Sequence, residues 1–137
     1  MIGSLLQADF EEIIAAKDWD GLRDALSELD SSDIAELIID LPPEHPIFHC
    51  FYEFSSFPQT PGLGSFLQGR TWEKGGYTAH LRAIEDDNGR AMVLINWNVD
   101  MGDGWEWSNA AEYPGYVKYT AMAYRMEINE IIYSLTH

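Results

Sequence analysis

The chain has 137 residues, 46% of them apolar, which is enough for one ordinary domain or for a small domain with an appendage. With 23 acidic residues against 8 basic ones it carries a formal net charge of −15. That excludes nucleic acid and anionic membrane surfaces as partners, because both need basic patches. Cys50 is the only cysteine, so no disulfide can close within the chain, and no apolar run of about 20 residues is present to span a bilayer.

The N-terminus, Met1-Ile-Gly-Ser-Leu-Leu, has neither the basic start nor the long apolar core of a signal peptide, so the expected location is cytoplasmic. Residues 1–44 hold 12 acids and 2 bases, and only Phe10 and Trp19 among the aromatics. The composition changes at Leu41-Pro-Pro-Glu-His-Pro46, where three prolines stop a helix. Two parts are therefore expected, a helical unit over 1–44 and an α/β part over 45–137.

In the first part, Ser4 is placed to cap a helix running to about Lys17, with Leu5, Leu6, Phe10, Ile13 and Ile14 on one face. Asp18 caps a second, whose apolar face is Trp19, Leu22, Ala25, Leu26 and Leu29. Ser31 or Ser32 opens a third, with Ile34, Leu37, Ile38 and Leu41 inside. The stretches Lys17-Asp-Trp-Asp-Gly-Leu-Arg-Asp-Ala-Leu-Ser-Glu-Leu29, Ser32-Asp-Ile-Ala-Glu-Leu37 and Leu41-Pro-Pro-Glu44 resemble the N-terminal intracellular domain of MgtE-type magnesium transporters over about 40 residues. The resemblance implies a helical module that responds to magnesium. On it, Asp18, Asp20, Asp24 and Glu28 form a strip that attracts cations; on periodicity alone they are a solvated outer face.

The second part opens with His45-Pro-Ile-Phe-His-Cys-Phe-Tyr-Glu-Phe54, which reads as a β-rich run. Residues 57–64 and 69–76 read as loops. Strands are expected near 47–53, 78–85 and 91–97, with Asp86-Asp-Asn-Gly89 turning the last two into a hairpin. Residues 116–136 have helical spacing, with Tyr119, Met122, Ala123, Met126, Ile131 and Tyr133 along one side and a break near Ile128-Asn129. The fold class is α/β: a small sheet with a C-terminal helix, preceded by a three-helix unit.

Several spaced motifs, His45-Pro-Ile-Phe-His49, Gly69-Arg-Thr-Trp72, Asp87-Asn-Gly-Arg90, Asn98-Val-Asp-Met-Gly-Asp-Gly-Trp105, Tyr124-Arg-Met-Glu-Ile-Asn129 and Ile132-Tyr133, resemble the C-terminal half of the family called domain of unknown function 4159, over residues 41–137. The resemblance implies kinship with glutamine-amidotransferase-like, flavodoxin-like α/β folds. Two departures stand out. The family's first strands, with a Gly-Gly-Phe-type strand end, are missing. The amidotransferase reaction also needs a nucleophilic cysteine on a tight turn with a His–Glu pair. Cys50 has no glycine elbow, and His49 is its neighbour on a segment read as extended, so the two point to opposite faces. Cys50 reads as a small core residue.

The segment from Ala91 to Trp105 is where a site is expected. A buried apolar strand delivers Asn98, Asp100, Asp103 and Trp105 to a glycine-rich loop at its C-terminal end, where α/β sheets usually bind ligands. Asp and Asn beside Gly are also ordinary turn residues. Asp100 and Asp103 offer hard oxygen ligands for magnesium, without the spacing of a calcium loop. His45, His49, His80 and His137 show no zinc spacing.

Three functions are compatible with these residues. One is a non-catalytic binding or interaction module, using the Asn98–Trp105 segment to contact a small molecule or protein. The second is a metal-dependent, hydrolase-like enzyme using Asp100 and Asp103, with His45 or His49. The third is a magnesium-responsive acidic helical module. The missing nucleophile favours the first. A sheet lacking the family's first strands leaves an edge that the N-terminal helices or a second copy would cover, so a homodimer is a further expectation.

Overall fold

In the computed structural model of the chain, residues 12–13, 15–28, 38–109 and 111–137 are described. The elements are helix α1 (Trp19–Glu28), strand β1 (Ile39–Asp40), helix α2 (Leu63–Leu67), strands β2 (His80–Glu85) and β3 (Ala91–Trp97), and helices α3 (Met101–Glu106) and α4 (Val117–Thr136). The sheet is small and antiparallel, in the order β1-β2-β3. The chain forms two compact units, one of residues 1–39 and 83–93, the other of 40–82 and 94–137.

In the smaller unit, residues 12, 13 and 15 are helical, and the backbone turns at Lys17, which sits at φ 55°. Asp18 then caps α1: its Oδ1 accepts from the Gly21 amide at 2.9 Å, as its place ahead of the apolar period predicts. The face expected to be apolar and buried is not. No residue of α1 is buried, and Trp19 is 58% exposed. The four acidic side chains are solvated, with Asp20 paired to Arg23 at 3.0 Å. The expected first helix falls largely, and residues 31–37 of the third wholly, outside the described residues. The end of the third is corrected. Ile39–Asp40 is strand and Leu41 follows it, its amide bonded to Leu81 O at 2.9 Å. The pair Pro42-Pro43 forbids a helix there.

The 86–90 hairpin forms as expected, by a different turn. Gly89 N donates to Asp86 O and Asp86 N to Arg90 O, and only Gly89 takes positive φ, at 76°. This is a type I turn closed by a left-handed glycine, so Asn88 does not need the positive φ of an Asn-Gly I′ turn. Asp86 Oδ1 accepts from the amides of Asn88 and Arg90, both at 2.9 Å, which holds its pKa down.

In the larger unit, the strand expected near 47–53 is absent. Pro46–Phe48 is a single 3-10 turn started by His45, whose Nδ1 accepts from Ile47 N at 3.3 Å. Pro46 has no amide to give to a ladder. The backbone that follows is held from α4 instead: Asn129, fully buried, donates from Nδ2 to Ile47 O and Tyr52 O and accepts from Tyr52 N, each at 2.8 Å. The helix runs unbroken through Asn129, because the amide finds its partners outside the helix and does not compete for helical carbonyls.

The core gathers on one side of α4, where Tyr119, Ala123, Met126 and Tyr133 are buried, with Tyr116, Leu63, Phe48 and Ile47 also buried in this unit. Phe66 lies 5.3 Å from the Tyr116 ring and 5.9 Å from that of Tyr119. Met122 and Ile131, expected on this side, are exposed. At 100° per residue Ile131 sits about 80° beyond the arc on which Tyr119, Ala123, Met126 and Tyr133 lie, whereas Met122 falls between Asn129 and Tyr133 on the buried side and is exposed because it borders an open groove. On β2 and β1, Asp40 takes Arg82 Nε at 2.6 Å and His80 Nδ1 at 3.4 Å, and the Arg82 guanidinium lies 4.6 Å above the Trp97 ring.

Candidate functional site

The Asn98–Trp105 segment is not a loop throughout. Asn98 turns the chain at φ 58°, which its short polar side chain tolerates, and donates from Nδ2 to Tyr77 O at 2.7 Å. Asp100 N donates to Thr60 O at 2.8 Å, and Asp100 Oδ1 accepts from Asp103 N at 2.9 Å, capping α3. Glycine suits α3 for a reason of space: a Cβ on Gly104 would lie 2.5 Å from that of Ala123, so the backbone of α3 rests directly on α4.

Asp103 reaches away from its own helix. Its Oδ2 accepts from Leu63 N at 2.7 Å, while Glu73 Oε1 accepts from Gly62 N at 2.6 Å. Both amides open the five-residue α2, whose cap residue Gly62 has no side chain to satisfy them. Three carboxylate oxygens thus surround Gly62. They lie 2.8 Å (Asp100), 3.1 Å (Asp103) and 3.2 Å (Glu73) from where a Cβ would stand. Tyr116 feels them: burial first, then these three charges, hold its phenol well above the ordinary tyrosine range, and its hydroxyl donates to Pro61 O at 2.7 Å.

Asp100 and Asp103 therefore converge beside Gly62, each bonded to a backbone amide, whereas the Asn98 side chain is spent on Tyr77 O. Gly62 and Glu73, which complete the cluster, carried no signal in the sequence beyond a glycine following proline. Among the described residues, no group of three or more His, Cys, Asp or Glu side chains is arranged to hold a metal ion. His45 and His49 do not share one side of a strand. His45 abuts the Tyr133 ring at 5.1 Å, while His49 bonds Glu53 through Nδ1 at 2.7 Å and Pro43 O through Nε2 at 2.8 Å. Two acceptors, the Glu53 carboxylate foremost, raise the His49 pKa. Cys50 is half-buried, not in a strand, and its thiol donates to Asn129 O at 3.2 Å. Burial pushes that thiol up, away from the thiolate a nucleophile needs.

Trp105 is the outward-facing member of the segment. It is 41% exposed and stacks on Tyr124, itself 42% exposed, with centroids 5.7 Å apart and planes 13° from parallel. An open groove of about 580 Å³ lies elsewhere on the unit, lined by residues 53–59, Thr71, Lys118, Tyr119 and Met122.

Reading the sequence missed a buried ionisable group, Glu130, and its partner amide, Asn96. Asn96 Nδ2 lies 3.4 Å from Glu130 Oε2, while Asn96 Oδ1 and Glu130 Oε1 are buried with no partner. Burial pushes Glu130 up to about 7, and Glu127 likewise to about 7. A lone glutamate on an apolar helix face is the signal that was available.

A family profile described as domain of unknown function (DUF4159) matches residues 5–135. The chain belongs to this family. The match takes in the helical third as well as the region whose motifs resemble DUF4159 in sequence. The resemblances to MgtE-type transporters and to glutamine amidotransferases find no support in the comparisons. No curated protein and no solved structure matches the chain. Among the described residues of this DUF4159 member, no helix is long and apolar enough to cross a membrane.

Proposed function

We propose that this DUF4159 chain is a non-catalytic binding module whose contact surface is centred on Trp105. The observation that carries this is the stacked, half-exposed Trp105–Tyr124 pair. Large aromatic rings held in place lose little entropy on contact and bring much apolar area, which is why they dominate binding surfaces. The Asn98, Asp100 and Asp103 side chains serve that surface by fixing the segment beneath it: each is engaged with a backbone group, and α3 has no freedom to swing while Gly104 abuts Ala123.

Selection of a displayed random-peptide library on the immobilised chain tests this. Enriched peptides should bind Trp105→Ala and Tyr124→Ala chains at least about tenfold more weakly, which is a loss of about 1.4 kcal/mol, and bind a Phe51→Ser chain normally. Peptides indifferent to both aromatic substitutions would move the contact surface elsewhere.

A further inference from the structure

The C-terminal helix is apolar on two opposite sides. One is the buried side described above. The other is a stripe of Val117, Ala121, Tyr124, Ile128, Ile131 and Leu135, spaced alternately four and three residues apart along α4. That spacing is the seam of a helix that packs lengthwise on another helix. Yet Val117 is 39%, Ile131 51% and Leu135 76% exposed, and Trp105 widens the stripe where it stacks on Tyr124. A surface helix normally puts charge on the side away from the core.

We infer that a second copy of this chain covers the α4 stripe, giving a homodimer whose interface includes the Trp105–Tyr124 pair. The inference rests on the binding-module reading and names the partner of that same surface.

Charge selects the occupant. The chain as a whole is at −15, so two copies repel over most of their surface. Helix α4 holds two bases, Lys118 and Arg125, and two acids, Glu127 and Glu130, and so has no net charge. It is a face on which copies can meet without that repulsion, and a strongly basic partner would be drawn to the rest of the surface instead. The area suits a dimer of moderate strength. A 20-residue helix is about 30 Å long, and two paired along that length with the flanking rings bury on the order of 1,000–1,200 Å², the low end of specific interfaces.

Sedimentation equilibrium of the full chain from about 1 to 100 µM, spanning a micromolar dissociation constant, tests this. The mass should double across that range. In an Ile131→Lys/Leu135→Lys chain it should stay at the monomer value throughout, with the thermal midpoint of the monomer unchanged. Because the lysines also set like charge against like where the two helices face, an Ile131→Ser/Leu135→Ser chain, which adds no charge, should lose the dimer as well. A Phe51→Lys control, at a residue 63% exposed and off the stripe, should dimerise normally. A wild-type chain that stays monomeric at the top concentration overturns the proposal. So does a dimer that survives the double substitution or disappears equally in the control. A drop in the midpoint of the monomeric double variant also overturns it, by showing that the stripe is covered within one chain. Peptides that still depend on Trp105 in a monomeric chain would sink this inference and leave the binding-module reading standing.

Discussion

Asn129 and Tyr52 exchange two hydrogen bonds across 77 positions of sequence: Asn129 Oδ1 accepts from Tyr52 N and Asn129 Nδ2 donates to Tyr52 O, both at 2.8 Å. A side-chain amide here does for the 46–52 segment what a neighbouring strand would have done. Asn129→Ala should therefore cost about 3 kcal/mol, since it orphans three backbone groups where water is largely excluded. Urea unfolding measures it; a loss under about 1 kcal/mol would mean that water replaces the amide.

The contact between α3 and α4 leaves no room for a methyl group. Gly104→Ala should destabilise by about 1–3 kcal/mol, because its Cβ would meet that of Ala123 at 2.5 Å. Adding Ala123→Gly should recover part of that loss despite the usual helix cost of glycine, of about 1 kcal/mol. A double-mutant cycle reads the coupling; simple additivity would show that the helices slide apart instead.

Asp103 acts as a hydrogen-bond acceptor in a crowd of like charges. Asp103→Ala should cost about 1–2 kcal/mol by stranding the Leu63 amide. Asp103→Asn, which keeps an acceptor and removes one of three clustered charges, should be neutral or stabilising. If the asparagine variant were as damaged as the alanine one, the charge and not the bond would be what matters.

The same cluster bears on metal binding. Asp100, Asp103 and Glu73 each already give an oxygen to a backbone amide. Millimolar magnesium, calcium or manganese should leave the thermal midpoint where an equal ionic strength of sodium chloride leaves it. A specific rise that disappears in Asp103→Asn would instead assign a cation to the cluster.

Glu130 makes stability depend on pH in a direction opposite to most carboxylates. Its pKa is about 7 in the fold against 4.5 for an ordinary glutamate, so the folded chain holds the proton more tightly than the unfolded one. Its contribution is full below about pH 4.5 and is lost as pH rises through 7. The proton supplies a donor where Asn96 Oδ1 and Glu130 Oε1 both lack one. Unfolding free energies at pH 5 and pH 8 should differ less in Glu130→Gln than in the wild type, with the variant the more stable at pH 8. Glu127, also pushed up to about 7, and His49, raised from its ordinary value, likewise lose their contributions as pH rises, so the comparison with the variant is what isolates Glu130.

Local chemistry was legible from residue order. The Asp18 cap, the 86–90 hairpin, strand β3 and the long C-terminal helix follow from capping side chains, turn residues and apolar residues acting within a few positions, although β3, expected to be buried, has no buried residue and leaves Met92, Val93 and Trp97 exposed. So did membership of DUF4159, which rests on spaced motifs. What only the tertiary structure decided depends on groups far apart in sequence. An aromatic run that reads as a strand became a 3-10 turn because Pro46 has no amide and Asn129 takes the neighbouring backbone groups. Asp100 and Asp103, which read equally as ligands or turn formers, turned out to be bonded to amides, one within α3 and one forty positions away at Leu63. The apolar period of α4 placed Tyr119, Ala123, Met126 and Tyr133 on the side that faces the core, but it also took in Met122 and Ile131, which are exposed, because periodicity records that a stripe exists and packing alone decides how much of it is covered.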